Sequence, residues 1–311
     1  MLRHVLEVDQ FDRADVERII GHAARMREVA RQGTGSSLRG RILATLFFEP
    51  STRTRLSFES AMMRLGGQVL SSEMASATSS AVKGESIEDT IRIVESYADV
   101  IAIRHPLHGA ADIAASVASV PIINAGDGAH EHPTQALLDM FTIYDELGRL
   151  DDFTIGLVGD LRYGRAPRSL ARLLTRVNCR IILVSPPGIE MAQDVLTALD
   201  TAGIEYEVVN DLAPVISRLN VVYMTRVQKE RFPSEEAYQE VAGRYVLDTT
   251  LMSRLPADAV VMHPLPRVNE IHTDVDADSR AAYFRQALNG VHMRMALLDY
   301  LLNGYESGLT A

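Results

Sequence analysis

The chain has 311 residues, which exceeds one typical domain and leads us to expect two domains of about 150 residues each; its 47% hydrophobic content is enough for two cores. A formal net charge of −10 and a pI near 5.4 exclude a nucleic-acid partner held by a general basic surface, so any anion site must be local and focused. No apolar run approaches the roughly 18 residues of a membrane span and no apolar leader follows Met1, from which a cytosolic protein is expected; the single cysteine, Cys179, excludes an intrachain disulfide and reads as a buried structural thiol.

An amphipathic helix is predicted near 14–31. Beyond it, apolar runs alternate with helical patterns, the signature of parallel α/β architecture, with strands expected near 42–48, 99–104, 120–124, 153–158, 180–184, 204–209, 220–225 and 259–262. The first strand runs into Phe47-Phe48-Glu49-Pro50-Ser51-Thr52-Arg53-Thr54-Arg55 and then a helical pattern. A helix N-terminus offers unpaired backbone N–H groups and partial positive charge. An N-cap needs one hydroxyl, whereas this junction carries three hydroxyls and two guanidiniums, a composition suited to a phosphate. Arg55, two residues beyond Arg53 and facing away from it on a helix, reads as structural or as a subunit contact.

The polar segment from Ser71 to Gly84 is long and helix-poor, as an active-site loop would be, and it holds Ser79 and Lys83. Lys83 and Lys229 are the only lysines, so a chain that writes arginine elsewhere keeps a compact ammonium at 83. Ser86-x-x-Asp89 then resembles a capping box, and Ile87, Ile91, Val94 and Tyr97 fall on one helical face. Arg104-His105-Pro106 stands at a strand end, where open α/β sheets bind ligands.

In His130-Glu131-His132-Pro133-Thr134-Gln135, His132 precedes a helix start and Gln135 lies one turn in. The His-x-His spacing invites a metal, but neighbouring acids complete no zinc pattern and Pro133 marks a first helical turn, so neither metal nor cofactor is expected. A neutral His132 donating to an oxyanion, with Gln135 accepting from an amide, fits the residues better. The helix carries Leu137, Met140, Phe141, Tyr144 and Leu147 at helical spacing, ends at Gly148 and marks the domain change.

After the next strand, Gly159-Asp160-Leu161-Arg162-Tyr163-Gly164-Arg165 lacks the dinucleotide spacing of glycines and carries cations instead. In Thr225-Arg226-Val227-Gln228, Arg226 and Gln228 share a side if the strand continues. Arg165, Arg226 and Arg267 together argue against a cationic acceptor. In His263-Pro264-Leu265-Pro266-Arg267 the prolines stiffen the backbone and leave the Pro264 and Leu265 carbonyls to accept from an amide ligand; a merely rigid loop is an equally good reading. A long amphipathic helix from Arg280 to Leu302 closes the chain.

Taken together, Ser51-Thr52-Arg53-Thr54-Arg55, Lys83-Gly84-Glu85, Arg104-His105-Pro106, His132 to Gln135, Asp160 to Arg165, Thr225 to Gln228 and His263 to Arg267 resemble, in order and spacing, the aspartate/ornithine carbamoyltransferase family. The segment Arg226-Val227-Gln228 and the prolines around Leu265 favour its aspartate branch. The resemblance implies an α/β fold of two domains, each a parallel sheet flanked by helices, with the C-terminal helix returning to the first. Residues 1–132 would bind carbamoyl phosphate, completed by 286–311; a linking helix would span 133–148, and 149–285 would bind aspartate.

The implied activity is carbamoyl transfer from carbamoyl phosphate to the amino group of L-aspartate, giving N-carbamoyl-L-aspartate and phosphate, an early step of de novo pyrimidine biosynthesis without a cofactor. Ser51, Thr52, Arg53, Thr54 and Arg104 would cradle the phosphate, joined by Ser79 and Lys83 of the neighbouring subunit in a homotrimer. Arg104, Thr54 and His132 would polarise the carbamoyl oxygen. Gln135 and the carbonyls of Pro264 and Leu265 would hold the carbamoyl amine, and Arg165, Arg226, Gln228 and Lys83 the aspartate carboxylates. The catalytic set is then Arg53, Thr54, Lys83, Arg104 and His132. Whether Ser79 or Ser80 is the loop ligand, and whether regulatory chains or a dihydroorotase join the assembly, stay open.

Overall fold

The computed structural model describes residues 3–33, 35–73, 84–128, 130–227 and 245–304 together with positions 234, 236 and 238. These fall into two compact units, Met1–Leu138 with Leu288–Ala311, and Asp139–Ala287.

In the first unit, strands β1 (Ile42–Phe47), β2 (Gln68–Glu73), β3 (Val100–His105) and β4 (Ile122–Asp127) form one parallel sheet in the order β2-β1-β3-β4. Helices α1 (Arg13–Gln32), α2 (Thr52–Arg64), α3 (Ile87–Val94) and α4 (Ala110–Val117) supply the crossovers and flanks. The sheet forms where the apolar runs are buried on both faces, as parallel strands require: Ala44, Leu46, Ile101, Ile103 and Ile122 share a core with Ile91 and Ala114 of the helices. Two helices start on side-chain caps. The Asp12 carboxylate accepts from Asp15 N at 2.7 Å, and Ser86 Oγ accepts from Asp89 N at 3.1 Å. Tyr97, which periodicity placed on one helical face with Ile87, Ile91 and Val94, lies past the helix end and is 58% exposed.

Helix α5 (Pro133–Leu147) leads out of this unit. In the second unit, β5 (Phe153–Val158), β6 (Cys179–Val184), β7 (Glu205–Val209), β8 (Val221–Met224) and β9 (Val260–Met262) form a parallel sheet in the order β7-β6-β5-β8-β9. Helices α6 (Arg165–Leu174), α7 (Gln193–Ala202) and the short α8 (Thr249–Met252) accompany it. Val158, Ile182, Val222, Leu247 and Val261 anchor its core. Cys179 is buried, and burial pushes its thiol up to about 12, so it stays protonated and inert.

The last helix, α9 (Tyr283–Asn303), has residues in both units. Its C-terminal part belongs to the first, where Asp299 Oδ2 lies 3.0 Å from His22 Nε2 of α1 and the Arg294 guanidinium stands 4.9 Å from the centroid of Phe58 on α2. The fold class is thus two parallel sheets flanked by helices, with the C-terminal helix returned to the first. Strand β2 has no counterpart in the expected elements. Only Val69 and Leu70 are apolar in Gln68–Glu73, so its strand character comes from backbone pairing with β1 at the sheet edge.

Candidate active site

The order β2-β1-β3-β4 means that the chain leaves β1 toward one edge and returns to β3 on the other side. Such a switch point opens a crevice at the C-terminal ends of the two strands. Phe47 of β1 lies opposite Arg104 of β3, and Phe48 N donates to Arg104 O at 2.8 Å. The start of α2 and the Arg104 side chain therefore share one strand-end location.

At the N-terminus of α2, Ser51 occupies the cap position with φ −160° and ψ 79°, yet its hydroxyl makes no capping bond. Thr52 and Arg53 are exposed and Thr54 is buried. Although Arg53 is exposed as a residue, enough protein surrounds its guanidinium to lower its pKa by desolvation; it remains a cation at neutral pH. Arg55 goes elsewhere: its Nη1 donates to Ser71 Oγ at 3.1 Å and lies 3.4 Å from Glu59 Oε1, while Thr45 Oγ1 and Ser71 Oγ also donate to that carboxylate oxygen. That network ties α2 to β1 and β2, a structural use, which is one of the two roles read for Arg55 from its spacing.

Arg104 is held from behind. Its Nη2 lies 3.3 Å from Glu49 Oε2 and its Nη1 donates to Ala125 O at 3.3 Å, so one acid in the β1–α2 turn and one carbonyl of β4 aim the fork. His105 faces Phe48 with ring centroids 4.7 Å apart and its Nδ1 accepts from Leu107 N at 3.0 Å; burial lowers its pKa and favours the neutral ring. His132 is buried immediately before α5, with its carbonyl accepting from Gln135 N and Ala136 N at 2.9 and 3.2 Å, and Gln135 is half-buried one turn in. The loop that delivers His132 is fixed by Asp127, whose Oδ1 accepts from Asn124 Nδ2 and Glu131 N at 2.9 and 3.2 Å. Glu49 and Asp127 escaped sequence reasoning because an acid supporting a cation or a loop leaves no spacing of its own, although Glu49 lies inside the anion motif.

The second sheet, β7-β6-β5-β8-β9, has its switch point between β5 and β8. Val158 lies opposite Met224, and Thr225 N and Oγ1 both donate to Val158 O at 2.8 and 2.9 Å. Gly159, at φ 117°, comes so near that a Cβ there would stand 2.3 Å from Thr225 O, so this crossing admits only glycine. The β5 loop then turns on Asp160, whose Oδ1 accepts from Arg162 N and Tyr163 N at 3.2 and 2.9 Å, and brings Arg165 to the first residue of α6. Arg226, half-buried, follows β8 by two residues. Two guanidinium residues thus leave the two strands that flank the switch point.

After β9, the backbone N–H of His263 donates to Gln286 Oε1 at 2.8 Å, its Nδ1 accepts from Leu265 N at 2.7 Å, and its Nε2 lies 2.7 Å from Glu270 Oε1. With Nδ1 accepting, Nε2 carries the proton and donates to Glu270. Burial alone would raise the Glu270 pKa, but the hydrogen bond and charge of His263 and its backbone donors outweigh it and hold the carboxyl below the usual range. These bonds hold Leu265 at φ 55°, a left-handed conformation that costs a β-carbon residue on the order of 1 kcal/mol. Arg267 corrects one argument: its guanidinium is engaged by both Asp276 oxygens and the Tyr283 hydroxyl, so it supplies no cation for an acceptor and cannot discriminate against a cationic one. Ser79, Lys83 and Gln228 lie outside the described residues.

Two parallel sheets, each with cationic residues gathered where its strand order reverses, define a two-domain α/β protein with positive charge at the strand ends. The sequence pattern described as "Aspartate/ornithine carbamoyltransferase, carbamoyl-P binding domain" matches residues 3–145, and that described as "Aspartate/ornithine carbamoyltransferase, Asp/Orn binding domain" matches 151–301. The chain belongs to the aspartate/ornithine carbamoyltransferase family.

It is 52% identical to the chloroplastic aspartate carbamoyltransferase of Arabidopsis thaliana, over 98% of this chain and 79% of that one. It is 50% identical to the aspartate carbamoyltransferase catalytic subunit of Thermococcus gammatolerans, over 96% and 97%. The crystal structure of aspartate transcarbamoylase from Trypanosoma cruzi in complex with carbamoyl phosphate superimposes with a TM-score of 0.91 at 44% identity, covering 96% of each chain.

These relatives overturn the expectation of a cytosolic protein. The plant enzymes, at 52 and 51% identity, are named as chloroplastic. A chloroplast transit segment is amphipathic and rich in Arg and Ser rather than apolar, so the lack of an apolar run never excluded that compartment. Among the described residues, no helix is long and apolar enough to cross a membrane.

Proposed function

We propose that the protein transfers the carbamoyl group of carbamoyl phosphate to the α-amine of L-aspartate, yielding N-carbamoyl-L-aspartate and phosphate as an early step of pyrimidine synthesis. The observation that carries this reading is the pair of switch points, one with Ser51 to Thr54 beside Arg104 and one with Arg165 and Arg226. One suits a phosphate and the other a dicarboxylate, and relatives crystallised with carbamoyl phosphate and aspartate match 96% of the chain.

In this mechanism the phosphate rests on the α2 N-terminus with Ser51, Thr52, Arg53, Thr54 and Arg104, and the carbamoyl oxygen faces Arg104, Thr54 and His132. Gln135 and the Pro264 and Leu265 carbonyls take the carbamoyl amine. Arg165, Arg226, Gln228 and Lys83 take the aspartate carboxylates. The neutral amine attacks the carbamoyl carbon and the C=O electrons move to oxygen, against the donors. The oxyanion then collapses, the C–O bond to phosphate breaks, and the departing phosphate takes the amine proton. Positioning and electrostatic stabilisation carry the rate, and one oxyanion donor accounts for about 3 kcal/mol of barrier.

We further read the active unit as a homotrimer whose neighbouring subunit supplies Ser79 and Lys83. Leu56 and Met63, seven residues apart on α2, and Leu70 on the edge strand β2 are 51, 54 and 47% exposed, large apolar side chains that a neighbouring subunit would cover. Incubating purified protein with carbamoyl phosphate and aspartate should yield carbamoyl-aspartate, with ornithine inert; no product under saturating substrates would refute the assignment. A native mass of three chains tests the assembly.

A further inference from the structure

The end of β4, the turn after it and the start of α4 gather metal-ligating side chains that take no direct part in the transfer mechanism. Asp127, the buried last residue of β4, has one oxygen occupied by Asn124 Nδ2 and Glu131 N; its other oxygen accepts from Gly109 N at 2.9 Å and lies 3.4 Å from His130 Nδ1. Asp112 stands exposed in the first turn of α4. One donor atom each from Asp112, Asp127 and His130 lies within 4.8 Å of the others. A second imidazole adjoins them, since the His108 ring packs on that of His130 with centroids 4.0 Å apart.

We propose that Asp112, Asp127 and His130, with His108 as a fourth ligand, form a site for a divalent transition-metal ion, zinc fitting best. Imidazole and carboxylate are ligands of borderline divalent ions, and two carboxylates balance a 2+ charge. Ligand atoms on a tetrahedral zinc are roughly 3.4 Å apart, a spacing Asp127 and His130 already have; Asp112 must close by up to about 1.4 Å and the His108 ring must turn in to join them. Asp112, at the surface, can make that movement while Asp127 stays fixed. The backbone and Asn124 donors on Asp127 act as outer-shell partners do, aiming a ligand carboxylate.

The rival reading is a plain Asp127–His130 hydrogen bond, which needs neither Asp112 nor His108. The sequence expectation of no metal paired His130 with His132; the fold instead turns His130 toward acids 3 and 18 residues away. An ion there would clamp the segment behind Arg104 to the segment ahead of His132 without touching substrate.

Isothermal titration of chelator-treated protein with zinc chloride, repeated with Asp112→Asn and His108→Ala, tests the proposal. Wild type should bind one equivalent per chain and unfold at a higher temperature with zinc. Each variant should bind at least tenfold more weakly while keeping its metal-free transferase activity. Cobalt(II) should give wild type the intense visible absorption of a four-coordinate site, lost in Asp112→Asn. Absence of saturable one-equivalent binding, or equal affinity in wild type and both variants, would overturn it.

Discussion

Arg53 and Arg55 stand two residues apart on the first turn of α2 and meet different surroundings, one facing out from the helix start and the other bonded to Ser71 and Glu59. The contrast predicts separable phenotypes. Arg53→Ala should lower kcat/KM for carbamoyl phosphate about a hundredfold or more, near the cost of one transition-state donor, with thermal stability unchanged. Arg55→Ala should cost about 1 kcal/mol, a melting-temperature drop of a few degrees, through loss of the α2–β2 link. Steady-state kinetics and thermal unfolding of both variants decide the matter, and equal activity loss with equal destabilisation would erase the distinction. Residues such as these were legible because their chemistry is contiguous: Ser51 to Arg55 occupy five positions in a row. Arg267 was misread because its partner, Asp276, is nine residues away and nothing in the sequence marks which of several acids it meets.

Among the elements, the segment between β9 and α9 is held by a series of side-chain bonds. Arg267 faces Asp276, which also accepts from the Tyr283 hydroxyl at the start of α9. The Arg267 hydrogen bond is the main cause holding the Asp276 carboxyl below its usual range, while burial and the hydrogen bond to Asp276 push Tyr283 up to about 12. With the folded pKa of Asp276 depressed, the unfolded chain binds more protons in acid. The contribution is therefore complete above the ordinary aspartate value of about 4 and fades as pH falls through the lower folded value. The stability gap between wild type and Asp276→Asn should hold steady from neutral pH to about 5 and narrow below about 4. Urea titrations across that range check it, and a gap independent of pH down to 3 would remove the ion pair from the account. Elements defined by apolar runs were foreseen. Strand β2 was not, because an edge strand with one neighbour can be polar and still complete its ladder.

At the scale of the whole molecule, the proposed trimer makes a claim that no single chain can test. If Lys83 acts in the neighbour's site, mixing inactive Arg53→Ala and Lys83→Ala proteins under subunit exchange should restore activity at about a quarter of sites, where an intact Arg53 meets an intact Lys83 across an interface. A site built within one chain predicts no recovery at any mixing ratio. The division into units also bears on how the polypeptide is made. The first unit takes its last segment from Leu288 onward, with Asp299 against His22 and Arg294 over Phe58, whereas the second is the uninterrupted stretch Asp139–Ala287. During synthesis from the N-terminus, the unit whose sheet is translated first is therefore completed last, and every residue of the second unit is on hand before the final helix can dock on the first.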